Sequence, residues 1–230
     1  LRQENTIPAS IQNYFHQLKM AAIARNIRMQ REMGIVLNSL RTQKIDVITL
    51  KGIHLVEAVY ANLGLRTYFD VDLLVRTENL SLALTILKSM SYQMTSYFDQ
   101  KKEGLGSLPL PPMHKSGGAY IELHWGLIEE DDPFKIDMDG IWQRALPVKI
   151  AGVPVLALCP EDLLLHLCIH FTYQHRMKAG LGSLYDIAEV IKTNKVKIDW
   201  LKLINIAKQW DVERTIWITL FFVKQLFGAD

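Results

Sequence analysis

Asp70 and Asp72 stand in the run Arg66-Thr-Tyr-Phe-Asp70-Val-Asp72-Leu-Leu-Val75. The composition is that of a strand, and side chains along a strand alternate between its faces. Both carboxylates therefore point one way, while Val71 and Leu73 point the other way into a core. Two like charges side by side repel each other and cost stability. A hard divalent cation turns that cost into binding, because Mg²⁺ prefers carboxylate oxygens and is held by one or two of them together with substrate phosphates. The plain alternative is a solvent-facing edge strand that carries two acids, and the neighbouring motifs shift the balance.

A third acid, Glu122, lies in Tyr120-Ile-Glu122-Leu-His124, where alternation puts Tyr120, Glu122 and His124 on one face. If this strand lies beside the first, three carboxylates converge. Such a set holds two divalent ions about 3.5–4 Å apart, which clamp the attacking and leaving oxygens of phosphoryl transfer. Glu122 could instead, or in addition, act as general base toward an acceptor hydroxyl or amine. Taken alone, it reads as an exposed strand carboxylate.

Lys51-Gly52 sits where a strand meets a helix. Backbone N–H groups at a helix N-terminus bind anions, glycine lets a phosphate approach closely, and Lys51 adds a point charge. Arg66 could pair with a phosphate or neutralise the acids in a structural ion pair. His166 and His170, four apart, share a helix face. With Asp186 they could form a metal site of the His-x3-His kind. Leu167 rather than Glu follows His166 and the surroundings are apolar, so a buried histidine between domains outweighs that site. In a middle reading, His166, His170 and Asp186 face the cleft and contact the base or the acceptor. His175 belongs to the same histidine group.

These groups need elements to hold them. Residues Pro8 to Arg41 follow helical spacing through Ile11, Phe15, Leu18 and Ala22. Ile45 to Lys51 is a β-branched, apolar strand candidate. His54 to Asn62 reads as a helix, with Gly64 as its C-cap. The Asp-Val-Asp strand follows, then a helix from Glu78 to Met90. Tyr92 to Phe98 is a strand candidate, and Asp99 to Pro112 a loop rich in Gly, Lys, Ser and Pro. Ala119 to Trp125 alternates as a strand, and Glu129 to Asp132 is a solvated acidic run. Pro147 to Leu158 is a hairpin that turns near Ala151-Gly152. From Pro160 the pattern is helical throughout, with Pro160-Glu-Asp in a first helical turn. Trp142, Trp200, Trp210 and Trp217 are expected in cores rather than as stacking platforms.

The chain has 230 residues, 49% hydrophobic and 22% charged, which suits one large domain or two small ones. A net charge of +2 is too small for bulk nucleic-acid binding, and no basic-aromatic interleaving marks a nucleic-acid groove. Cys159 and Cys168 form no CxxC site and suggest a reducing compartment. No apolar run approaches the ~18–20 residues of a membrane span. No signal peptide is visible, and the chain begins at Leu1 rather than Met.

The order of these motifs resembles the polymerase-β-type nucleotidyltransferase pattern: a strand ending in Gly, a helix, a strand with Asp-hydrophobic-Asp, and a later strand with a third acid. More closely, Leu50-Lys-Gly52, Leu65-Arg66, Asp70-Val-Asp-Leu-Leu-Val75 and Glu122-Leu-His-Trp125 look like the uncharacterised bacterial nucleotidyltransferase family of that superfamily. Pro160-Glu-Asp, His166 and Leu184-Tyr-Asp186-Ile-Ala look like its helical segment. The resemblance covers roughly residues 45–195. It implies transfer of a nucleoside monophosphate from an NTP with release of pyrophosphate. Asp70 and Asp72 would hold two Mg²⁺ ions, Glu122 would complete the site, and Lys51-Gly52 would stand at the triphosphate. The superfamily usually has Gly-Ser or Gly-Gly after its first strand and a shorter gap to the acids. Here Ile53 follows Gly52, so the usual hydroxyl contact to phosphate is absent.

The resulting expectation is an α+β fold with a nucleotidyltransferase-type mixed β-sheet core flanked by helices. It divides into an N-terminal helical lead (1–43), the α/β core (44–158) and a C-terminal helical region (159–230). The expected catalytic and metal-binding residues are Asp70, Asp72 and Glu122. Lys51, Gly52, Arg66, His124 and His170 form the expected nucleotide-contacting set. The substrates are an NTP, ATP by default, and an unidentified small-molecule or protein acceptor, in the cytoplasm and away from membranes. A degenerate fold that binds nucleotide or a partner without turnover is the alternative, and a phosphohydrolase on His166, His170 and Asp186 a third reading. Oligomeric state is left open.

Overall fold

The computed structural model describes residues 7–95, 110–128 and 132–229. A 34-residue helix, α1 (Ala9–Thr42), leads into β1 (Val47–Thr49). The short helix α2 (Lys51–His54) runs on as a π-helical turn over Leu55–Val59. Next come β2 (Asp70–Val75), α3 (Leu80–Ser89), β3 (Gln93–Met94), β4 (Met113–His114) and β5 (Tyr120–His124). After α4 (Met138–Arg144) the chain turns through β6 (Leu146–Ile150) and β7 (Val153–Ala157). Four helices follow: α5 (Pro160–Ile169), extended by a π-helical turn over His170–Gln174, then α6 (Leu181–Thr193), α7 (Trp200–Trp210) and α8 (Glu213–Phe227).

All the strands join one mixed sheet in the order β3-β4-β5-β2-β1-β7-β6. The β2/β5 and β1/β7 pairs are parallel and the others antiparallel. Alternation along the central strands sorts side chains onto two apolar layers. Val71, Leu73 and Val75 of β2, with Ile121 and Leu123 of β5, pack with Met33, Val36, Leu37 and Leu40 of α1 and with α3. Ile48 of β1 and Leu74 of β2 face the other way and join Leu163, Ile187, Leu203 and Ile216 from α5 to α8. Asp72 shares the face of Leu74, so it points toward the helical layer. The Asp-Val-Asp strand is therefore central rather than an exposed edge.

Several local signals work as the residues suggest. Ala151 and Gly152 both take positive φ, 50° and 78°, the geometry of a tight hairpin turn between β6 and β7. Pro160 opens α5, and its first-turn acids are held by partners: Glu161 by Lys202 at 3.0 Å and Asp162 by Arg144 at 2.9 and 3.1 Å. Other expectations are corrected. The helix after β1 begins at Lys51, not His54, and Gly64 is not its cap. Ala61, at φ 48°, is the left-handed residue after the last turn, while the Gly64 N–H donates to the Asn62 side chain at 2.9 Å. Trp142 and Trp210 are buried, but Trp200 and Trp217 are exposed, the latter stacked on Phe221 along the outer face of α8. Residues 96–98 of the third strand candidate, most of the 99–112 loop and residues 129–131 of the acidic run lie outside the described residues.

Candidate active site

Strands β2 and β5 pair in parallel with Asp70 opposite Tyr120, Asp72 opposite Glu122 and Leu74 opposite His124. Asp72 and Glu122 thus lie side by side on one face. Asp72, only 2% exposed, accepts at Oδ1 from Lys51 Nζ at 2.9 Å and from His124 Nε2 at 3.1 Å. His124 Nε2 is also 3.7 Å from Glu122 Oε2. Lys51 reaches this point because it is the first residue of α2, and the Leu50 N–H before it donates to the Asp72 carbonyl at 3.1 Å.

From Asp72 the network crosses to the helical layer. The Lys51 ammonium donates to His170 Nε2 at 3.0 Å, and His175 Nε2 lies 3.1 Å from the same atom. A lysine ammonium has only donors, so this bond requires a neutral, accepting His170. A cavity of about 550 Å³ opens here. Lys51, Glu122 and His124 line it on the sheet side, and His170 with the stretch from Thr172 to Arg176 on the helical side.

Electrostatics follow from the partners. Burial opposes the charge on Asp72, but Lys51 and His124 override it and hold the carboxyl well below the usual range. Burial likewise opposes charge on His124, yet its bonds to Asp72 and Glu122 raise its pKa. Lys51 is raised too, because Asp72 outweighs desolvation. Asp70 moves the other way from Asp72: burial and the neighbouring Asp72 charge raise it. Across the cavity, burial and the Lys51 charge push His166 down to about 3 and His170 down to about 2.

Among the described residues, Asp72, Glu122 and His124 are the group whose ligand atoms lie within 4.8 Å of one another and could hold one metal ion. The donor chemistry suits a hard divalent cation through the two carboxylates. His124 donates to Asp72 and lies within ion-pair distance of Glu122, which orients the acids in the manner of an outer-shell partner. Asp70 shares the face but stands outside that cluster, at the strand's exposed start and opposite Tyr120.

The remaining candidates fall elsewhere. Arg66 contacts neither strand acid. It forks onto Asp186 at 2.8 and 2.9 Å, and Tyr60 donates to the same carboxylate at 2.8 Å. Asp186 is thereby committed, and His166, His170 and Asp186 form no metal-ligand cluster among the described residues. His166 is buried, with Nε2 unpartnered. Gly52 is buried, and a Cβ there would meet Tyr68 Cβ at 3.0 Å and the Asp70 carbonyl at 3.2 Å. A side chain at this point would press on Tyr68 and on the start of β2. Sequence reasoning missed the Lys51–Asp72 bond and the cavity wall from Thr172 to Arg176. The only trace of the first was that Lys51 ends the strand next to the acids.

The fold recurs in solved structures. The solution structure of the antibiotic-resistance factor ANT(2'')-Ia matches with a TM-score of 0.53 at 10% identity, over 85% of this chain and 96% of that one. The crystal structure of ANT(2'')-Ia in complex with adenylyl-2''-tobramycin matches at 0.50 and 12% identity, over 75% and 91%. The crystal structure of an antigenic nucleotidyltransferase-like protein from Paracoccidioides brasiliensis matches at 0.50 and 17% identity, over 93% and 89%. No curated protein matches the chain. Sheet, helical layers and acid-bearing strands together define a nucleotidyltransferase fold. The chain belongs to the family described as uncharacterised nucleotidyltransferase, whose model matches residues 1–228. It is accordingly an enzyme of the nucleotidyltransferase class.

Proposed function

We propose that this protein is a Mg²⁺-dependent nucleotidyltransferase that moves a nucleoside monophosphate from an NTP, ATP by default, to a small-molecule or protein acceptor. The carrying observation is the Asp72–Glu122 pair, set side by side by parallel strands beside the 550 Å³ cavity. Asp72, Glu122 and Asp70 would hold the metal, with His124 orienting the first two. A divalent ion bound there supplies the positive charge that stabilises the attacking and leaving oxygens. The acceptor's hydroxyl or amine attacks the α-phosphorus and pyrophosphate leaves. Glu122, half-buried and lining the cavity, takes the acceptor proton. Lys51 and the N–H groups at the start of α2 face the phosphates. The helical wall from His170 to Arg176 contributes acceptor contacts, consistent with a helical region that complements the core. A small-molecule acceptor is supported by the ANT(2'')-Ia complex with adenylyl-2''-tobramycin. Both cysteines are free and buried, which supports a cytoplasmic setting, and no helix among the described residues is long and apolar enough to cross a membrane.

Two observations favour a nucleotide-binding module without turnover. Lys51 already neutralises Asp72, and Ile53 follows Gly52 where the superfamily offers a phosphate contact. Thermal unfolding with Mg²⁺ and each of the four NTPs separates the readings from outright failure. Ligand at a hundredfold excess over Kd stabilises the native state by about 2.7 kcal/mol. The expected result is a Mg²⁺-dependent rise in Tm with one NTP, lost in Asp72→Asn, and pyrophosphate release once an acceptor is supplied. Binding without release across an acceptor panel supports the module, and no shift with any NTP overturns both.

A further inference from the structure

Arg66 ties three elements together. Its backbone carbonyl accepts from the Asn26 side chain of α1 at 2.7 Å, and the same amide holds the Leu63 carbonyl at 2.8 Å. Its guanidinium forks onto Asp186 of α6 through Nε and Nη2 at 2.8 and 2.9 Å. The third arm, Nη1, donates to the Gly52 carbonyl at 3.3 Å. Gly52 in turn sits so close to β2 that a Cβ would meet the Asp70 carbonyl at 3.2 Å. A continuous line of contacts therefore runs from α6, through Arg66, to the Lys51–Gly52 turn and the strand that carries the acids.

Stability alone does not account for this pair. The desolvation cost of a buried ion pair offsets most of its attraction, so apolar residues often serve a core as well. A two-pronged guanidinium–carboxylate contact instead fixes direction. Here the direction fixed is that of the third arm onto Gly52. Asp186 is 7% exposed, and its Oδ1 accepts from Tyr60 as well as from Arg66, so burial and a second donor hold the carboxylate in place.

We infer that Asp186 is a positioning residue: through Arg66 it sets the Lys51–Gly52 turn against the first strand acid, so that the helical layer decides whether the nucleotide site is assembled. Neither Asp186 nor Arg66 lines the cavity. The inference rests on the nucleotide site proposed above, and it assigns Arg66 to the support of that site instead of to phosphate contact.

The test uses the full chain with Asp186→Asn and with Arg66→Lys, which keeps the charge and loses the fork. Arg144→Lys is the control, because Arg144 forks onto Asp162 at 2.9 and 3.1 Å away from the cavity. The probe is Mg²⁺ with the NTP that raises the wild-type Tm. Both latch variants are expected to bind it about tenfold more weakly, as outer-shell changes do. The control should lose Tm and keep its affinity, and Asp186→Glu should restore part of the affinity. Without nucleotide, amide exchange should quicken at residues 50–54 and 68–72 in the latch variants and stay unchanged there in the control. Wild-type affinity in both latch variants overturns the inference. If the wild type binds no NTP, the proposed function fails, and exchange decides alone: unchanged protection at 50–54 and 68–72 overturns the positioning role. Should Asp186→Asn not fold, Arg66→Lys gives the same readings.

Discussion

His124 and His166 are both buried beside the site, 8% and 3% exposed, yet their pKa values move in opposite directions. His124 rises, because Asp72 and Glu122 reward its proton despite desolvation. His166 falls to about 3, because burial acts with no partner on Nε2 and the Lys51 charge adds to it. The two belong to opposite walls. The strand wall concentrates charge and compensates it at contact distance, while across from it His166 and His170 are held neutral. Burial alone does not decide protonation; the partner does.

Removing the carboxylate that charges the strand wall is the largest way to break this contrast. In Asp72→Asn the buried Lys51 ammonium and His124 both lose their counter-ion. Breaking a buried pair from one side costs about 3 kcal/mol or more, to be read from urea unfolding at pH 7. The sign follows from Asp72's depressed pKa: its contribution is present above the unfolded value of about 3.9 and is lost as pH falls through the folded one. His124 should then titrate lower, approaching His166, which NMR of the imidazole signals reads directly. An Asp72→Asn protein as stable as the wild type would mean that the acids repel more than their partners attract.

The helical wall gives the next effect. A histidine whose folded pKa lies below the unfolded ~6.5 stabilises the protein above that pH and loses its contribution as pH falls. His166 at about 3 and His170 at about 2 place this loss between about pH 6.5 and about 3 for the first and about 2 for the second. Each can steepen the fall by up to about 1.4 kcal/mol per pH unit. His124 has the opposite sign, since its raised pKa adds stability below ~6.5 that is lost as pH rises through its folded value. In His166→Gln, urea midpoints from pH 8 to 4 should fall more gently than in the wild type. An equal slope would show that His166 is not held neutral.

The two walls also differ in how far the sequence discloses them. Period-two alternation put Asp70 and Asp72 on one face of one strand and Tyr120, Glu122 and His124 on one face of another. A short-range rule was enough, because a strand's side-chain direction is local. The hairpin at Ala151-Gly152 and the helix start at Pro160 were legible for the same reason. The Lys51–Asp72 bond was not, since it depends on β1 and β2 lying next to each other in the sheet. The Arg66–Asp186 fork spans 120 residues, and only the folded layers bring its halves together. The π-helical turns at Leu55–Val59 and His170–Gln174 escaped as well, because their apolar spacing is close to that of an ordinary helix. The second of these turns carries the cavity's helical wall, so the acceptor side was the less readable half.

Asp70 sharpens the contrast with the smallest effect. It stands on the strand wall but lacks what charges that wall, since its register partner is Tyr120 and neither Lys51 nor His124 bonds to it. Burial and the Asp72 charge raise its pKa, so its ionised form is a cost in the metal-free protein. Asp70→Asn should therefore stabilise the protein at pH 7 where Asp72→Asn destabilises it, although the two sit two residues apart on one face. Asp70 is partly exposed and solvent screens its repulsion, so the gain stays below about 1 kcal/mol. The gain should shrink as pH falls and Asp70 takes up its proton, which urea midpoints at pH 7 and pH 4 will read. A saturating divalent cation should reverse the sign if Asp70 joins Asp72 in holding it, because the asparagine protein would then gain less from the ion. Equal stabilisation of both proteins by Mg²⁺ would remove Asp70 from the metal site and leave it with Asp72 and Glu122 alone.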